Sequence, residues 1–188
     1  LLNRRRKGHP DRPTNVRVYT HFGERISSEL CGPFPPSPHG FTFAINFVDH
    51  YSTVIAVYFL RDPVNAEQVI NAARAFMRDH AHLLVKTRVA CVVDEWHCDN
   101  GTQFTSASVE EFCAVLAIQR TFLPADVHEG NAIAERAWGL LLRCTRASIA
   151  HAGGGVKQAQ FWPFLFVQFS LVHNLLDTNR GSAKSPHW

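Results

Sequence analysis

Residues 41–60 read Phe-Thr-Phe-Ala-Ile-Asn-Phe-Val-Asp-His-Tyr-Ser-Thr-Val-Ile-Ala-Val-Tyr-Phe-Leu. Two runs of apolar, β-branched and aromatic residues, 41–48 and 53–60, flank the short connection Asp49-His50-Tyr51-Ser52. That is the pattern of a β-hairpin. Residues 21–30 can supply a strand before it, stopped by Gly32-Pro33 and the turn-rich Pro35-Pro36-Ser37-Pro38-His39-Gly40. After it, Val69, Ala72, Ala73, Phe76 and Met77 recur at helical spacing across 65–80. A fourth strand starts at 89–93 and runs on to Cys98, with Asn100-Gly101 ending it. Ser106 or Ser108 can cap a helix carrying Val109, Phe112, Cys113 and Leu116, with Glu110 and Glu111 near its positive end. Residues 119–123 predict a short fifth strand, 124–130 a loop and 131–150 a long helix. A last helix over 161–176 is so apolar all round that burial is expected. Three meandering strands, then strands alternating with helices, predict an α/β fold: a five-stranded mixed sheet flanked by helices.

The chain has 188 residues, 46% hydrophobic and 19% charged. That suits one domain of roughly 100–200 residues and excludes general disorder. No apolar run approaches the roughly 20 residues of a membrane-spanning helix, so no membrane partner is expected. No signal peptide follows Leu1, and the chain reads as a domain cut from a longer protein. Net charge is +3, yet residues 1–20 alone carry +5, leaving −2 for the remainder. Arg4, Arg5, Arg6 and Lys7 make a basic arm, and residues 1–18 read as a linker whose cations can meet phosphates or stay solvated. The five cysteines contain no C-x-x-C pair, which predicts a reducing compartment and speaks against structural zinc.

Three acids stand out. Glu29 ends the first strand, Asp99 follows the fourth, and Glu135 lies in the first turns of the long helix. If the first and fourth strands are neighbours, Glu29 and Asp99 project from adjacent strand ends, and the helix can bring Glu135 alongside. Clustered carboxylates repel unless cations neutralise them, and oxygen-only donors call for Mg²⁺ or Mn²⁺. Two such ions suit phosphodiester chemistry. Each acid also has an ordinary explanation: an Asp before Asn-Gly is a turn residue, and a Glu in a first helical turn complements the dipole. Asp49 and Asp94 are rival acids. From Glu135, helical geometry puts Gly139, Arg143 and Arg146 on roughly one face, where the two arginines can meet phosphates or solvent. Trp138 reads as core packing.

Several segments resemble the catalytic core of retroviral-type integrases, nearest to those of copia-type LTR retrotransposons. They are Ser28-Glu29-Leu30-Cys31-Gly32-Pro33, Phe47-Val48-Asp49-His50-Tyr51-Ser52, Val57-Tyr58-Phe59-Leu60-Arg61, Cys98-Asp99-Asn100-Gly101-Thr102-Gln103-Phe104 and Asn131-Ala132-Ile133-Ala134-Glu135-Arg136. Asp99 and Glu135 have 35 residues between them, the spacing of that family. The resemblance implies an RNase H-like core over 19–188, with Glu29, Asp99 and Glu135 as catalytic residues and ligands of two Mg²⁺ or Mn²⁺ ions. It further implies end processing and strand transfer on double-stranded DNA, a homo-oligomer, and action in the nucleus, with the protein otherwise cytoplasmic and not secreted. Asn131 and His128, in the loop before the long helix, are candidate contacts to DNA ends. Asp49 takes a structural role at the hairpin. The chain departs from the family at Glu29, where Asp is usual, at His128-Glu129-Gly130-Asn131-Ala132 in place of Pro-Gln-x-Asn-Gly, and at Thr102-Gln103 in place of Gly-Glu. Those departures motivate an alternative: a catalytically decayed, integrase-like DNA-binding domain. An RNase H-type nuclease acting on hybrids would share the fold but lack these motifs.

Overall fold

In the computed structural model, the structure describes residues 17–84, 93–122 and 131–176. Its strands are β1 (Ile26–Cys31), β2 (Phe43–Asp49), β3 (Ile55–Leu60), β4 (Glu95–Cys98) and β5 (Gln119–Phe122). Between and after them come α1 (Ala66–Asp79), α2 (Thr102–Thr105), α3 (Ala107–Val115), α4 (Ala132–His151), α5 (Val156–Ala159) and α6 (Trp162–Leu176). The sheet order is β3-β2-β1-β4-β5. β1, β2 and β3 form an antiparallel meander, whereas β4 runs parallel to both β1 and β5. The expected five-stranded mixed sheet is therefore present.

Each face of the sheet carries its own core. Ile26, Phe47, Trp96 and Cys98 join Val69, Phe76, Val109 and Phe112 on the α1/α3 side. Ala44, Val48 and Ile55 pack with Ala134, Trp138, Leu141, Trp162 and Phe166 on the α4/α6 side. α1 follows its sequence closely: Asn65 caps it by accepting from the Glu67 and Gln68 N–H groups, and Val69, Ile70, Ala72, Ala73, Phe76 and Met77 are buried. No helix among the described residues is long and apolar enough to cross a membrane. The cysteines that are described, Cys31, Cys98, Cys113 and Cys144, are free thiols.

Three expectations need correction. The first strand starts at Ile26, not near His21, because Gly23 has a φ of 86° and gives its N–H to Asp49 Oδ1, which turns the chain there. The fourth strand begins only at Glu95; residues 89–92 lie outside those described, and the Asp94 N–H bonds Gly23 O beyond the strand. Finally, α6 is not buried all round. Trp162, Phe166, Ser170 and Asn174 face inward, while Phe164, Leu171 and Leu175 are more than half exposed. Among the described residues the helix has a protein neighbour on one side only. Of its two buried polar residues, Asn174 is used at the sheet edge, where its amide bonds both the N–H and the C=O of Ile55 on β3.

Candidate active site

The pairing of β1 with β4 sets the site. Ile26 lies opposite Trp96 and Ser27 opposite His97 in parallel register. Two residues further along each strand stand Glu29 and Asp99, level with one another at the carboxyl ends. Alternation assigns the faces. Ile26 belongs to the α1/α3 core, and the Ser28 hydroxyl accepts from Trp96 Nε1 there, whereas Cys31 packs in the α4/α6 core. Glu29, between Ser28 and Leu30, therefore shares the α4 side with Cys31. α4 crosses that side with Glu135 exposed in its first turn.

Glu29 is half-buried, and its Oε2 has no hydrogen-bond partner. Burial pushes its carboxyl up to about 7, and the charges of Glu135 and then Asp99 push it in the same direction. Glu135 and Asp99 are thus both within electrostatic reach of Glu29. The three acids do not form a finished cage: among the described residues, no group of three or more His, Cys, Asp or Glu side chains is arranged to hold a metal ion. Glu135 is exposed, and Asp99 Oδ1 accepts the Gly101 N–H at 2.8 Å, so one of its oxygens also serves the turn. The donor chemistry nevertheless fits a hard divalent cation. An orphaned carboxylate oxygen, raised by two like charges, is relieved by positive charge, and all the donors are oxygens.

The rival acids have other work. Asp49 is fully buried, with Oδ1 accepting the Gly23 N–H and Oδ2 accepting the N–H and the hydroxyl of Ser52. It holds the β2–β3 turn. Asp94 is exposed and bonds His21 Nε2 at 3.0 Å. Among the DNA candidates, Arg143 and Arg146 are exposed on α4. The Arg146 charge lowers the Cys31 thiol against burial and Glu29, which raise it, so this arginine stands near the end of β1. Asn131 is buried rather than exposed on a loop, because its Nδ2 donates to Ser28 O at 3.0 Å; its Oδ1 is unpartnered. His128, Arg4, Arg5, Arg6 and Lys7 lie outside the described residues.

Two contributors were not singled out by their sequence. Asn46 accepts the Glu29 N–H through Oδ1 and donates through Nδ2 to Ala134 O. Trp138, expected only to pack, also donates its indole N–H to Glu29 O at 3.1 Å. A signal for the first existed: Asn46 is the one amide inside the apolar run 41–48.

Sheet order and crossing helix are those of a known architecture. The fold is RNase H-like, the fold of retroviral integrase catalytic cores. The chain aligns with the catalytic core domain of BIV integrase at a TM-score of 0.55 and 17% identity, covering 88% of this chain and 91% of that one. The HTLV-2 integrase catalytic core domain in complex with magnesium, in a trimeric form, aligns at 0.62 and 14%, covering 91% and 97%. A simian T-cell lymphotropic virus intasome in complex with PP2A regulatory subunit B56 gamma aligns at 0.69 and 14%, covering 92% and 56%. In sequence, the chain is similar to a retrovirus-related Pol polyprotein from transposon TNT 1-94 of Nicotiana tabacum, 28% identical over 112 residues. That match spans 59% of this chain and 8% of the polyprotein. No protein-family model matches the chain.

Proposed function

We propose that this chain is the catalytic core of a retrotransposon integrase, a polynucleotidyl transferase that nicks the ends of an element's DNA and joins them to target DNA. The observation that carries it is the placing of Glu29 and Asp99 each two residues beyond the paired Ser27 and His97 of neighbouring parallel strands, with an unpartnered Glu29 oxygen that feels Glu135. The fold likeness and the polyprotein similarity support the same class. Glu29, Asp99 and Glu135 are the residues that would hold two Mg²⁺ or Mn²⁺ ions. Such ions, if bound, would supply charge to neutralise the carboxylates and to stabilise the attacking and leaving oxygens of a phosphodiester exchange.

The protein's own part is to hold these acids and to receive DNA. Glu29 is held from a strand rather than a loop, which limits its excursions. Arg143 and Arg146 have no ion-pair or hydrogen-bond partner among the described residues, so their charge is available to phosphates. The basic arm, residues 1–18, adds non-specific affinity as a linker to the core at 19–188. The exposed Phe164, Leu171 and Leu175 on α6 suit a second copy, in keeping with a homo-oligomer. Such an enzyme acts in the nucleus.

A strand-transfer assay on a DNA duplex tests this. Product with MgCl₂ or MnCl₂ is expected; no product with either, despite retained DNA binding, overturns it in favour of the decayed DNA-binding domain. That second reading draws on Glu29, whose extra methylene displaces the carboxylate, and on the absence of a finished metal cage among the described residues. Glu29→Asp should raise the rate; an unchanged rate counts against Glu29 as a ligand.

A further inference from the structure

α4 is tied to β1 by buried polar side chains that converge on the two peptide groups around Glu29. Asn46 is fully buried in β2, directly opposite Glu29 in the antiparallel pairing. Its carboxamide spans two elements. Oδ1 accepts the Glu29 N–H at 3.0 Å, and Nδ2 donates to the carbonyl of Ala134, the residue before Glu135, at 2.9 Å. Trp138, one helical turn after Glu135, is buried and donates to Glu29 O. Asn131, one turn before Glu135, is buried and donates to Ser28 O. Residues 131, 134 and 138 share one face of α4, so these bonds fix the helix's rotation as well as its height over the strand.

Burying two amides and an indole N–H in an otherwise apolar layer is costly unless every polar atom is satisfied. A Leu at position 46 would pack between Ala44 and Val48 without that requirement. Both polar ends of Asn46 are matched, one by the main chain of Glu29 itself and the other by that of Ala134, the residue before Glu135. β1 pairs with β4 only at Ile26 and Ser27, so Ser28 and Glu29 lie past the end of that ladder and are held from α4 and β2 instead.

We propose that Asn46 and Trp138, assisted by Asn131, are positioning residues that set the spacing between Glu29 and Glu135 and so tune the site's affinity for divalent cations. The proposal deepens the metal-dependent reading above and rests on it. These residues act through the main chain of Glu29 and Ala134 and touch no reacting atom. Loss of the supporting bonds leaves the carboxylates present but misplaced, which weakens ion binding without removing a ligand.

The test compares the full chain with Trp138→Phe, which keeps the ring and loses the N–H, and with Asn46→Leu, which loses both bonds at similar volume. Amide hydrogen exchange without metal reads the tie directly. Exchange at Glu29 and Leu30 should speed up in both variants, while that in Val69–Phe76 of α1 stays unchanged. Thermal shift on titrating MnCl₂ reads the consequence: the half-saturating concentration should rise about tenfold in Trp138→Phe. Saturating MnCl₂ should then restore most of the shift, a midpoint-against-amplitude split that a general loss of stability does not produce. A folded Trp138→Phe with an unchanged MnCl₂ midpoint and unchanged Glu29 exchange overturns the proposal, even if Asn46→Leu fails to fold. If the wild type shows no MnCl₂ shift at all, the metal-dependent reading fails and this proposal with it; faster Glu29 exchange in the variants would then mark the tie as serving the fold alone.

Discussion

Asp49 and Glu29 are both carboxylates sunk into the same sheet, yet they have opposite surroundings. Burial raises both. At Asp49 the Gly23 and Ser52 groups oppose that rise with hydrogen bonds, and both oxygens are used. At Glu29 nothing opposes it, one oxygen is unpartnered, and two further acids add to it. A buried acid with every lone pair answered is a piece of the fold. One left unanswered beside like charges holds free energy that a bound cation can release.

The difference can be broken from either side. Asp99→Ala removes one of the charges facing Glu29 and should cut strand transfer by on the order of 10³-fold or more, measured on an oligonucleotide duplex with MnCl₂. A residual rate within tenfold of wild type would remove Asp99 from the site. Asp49→Ala should instead unfold rather than inactivate. It strands the Gly23 and Ser52 N–H groups, at a cost of about 3 kcal/mol in urea denaturation. If stability hardly changes, Asp49 is not the hairpin's anchor.

Titration should separate the two ends by sign. In the folded, metal-free chain Glu29 keeps its proton until about pH 7, whereas in the unfolded chain it is lost near the ordinary 4.5. The folded state therefore has an advantage at acid pH that disappears as pH rises from 4.5 through 7. Glu29→Gln should flatten that slope. At pH 8 in EDTA it should stabilise by about 1 kcal/mol after solvent screening, roughly 2–4 °C in melting temperature. A variant that melts lower there would mean Glu29 is already compensated. At the Asp49 end, His50 is pushed down to about 4, chiefly by burial and then by Arg25, while its Nε2 meets Ser27 Oγ at 2.8 Å. It stays neutral when folded but takes a proton near 6.5 when unfolded. Its contribution is present above pH 6.5 and lost as pH falls towards 4. His50→Gln should remove up to about 1 kcal/mol of that acid sensitivity, read as a smaller melting-temperature drop between pH 7 and pH 5.

Much of the architecture was legible because it is local. The hairpin at 41–60, the Asn65 cap with its apolar stripe, and the breaker Asn100-Gly101 announce themselves within a few residues of where they act. The three candidate acids were singled out by motifs and spacing. The pairing of β1 with β4 was needed to make Glu29 and Asp99 neighbours, and it was expected only conditionally. Other features depended on partners far along the chain. The run 21–25 looks extended until Gly23 turns towards Asp49, 26 residues away. α6 looks like a core helix because hydropathy counts apolar residues without saying how many neighbours the helix has; a face with none among the described residues is exposed there.

What the sequence determined by itself is therefore most of the elements, the class of sheet and the three acids worth watching. Periodicity, turn chemistry and motif order act through nearest neighbours along the chain, and they survive without a fold. Only the tertiary structure decided the environment of each acid. Whether a carboxylate is answered by hydrogen bonds, as at Asp49, or left facing other charges, as at Glu29, depends on groups that meet only when strands and helices pack. The same holds for Asn46 and Trp138, whose side-chain N–H groups gain meaning from carbonyls about 90 to 110 residues away.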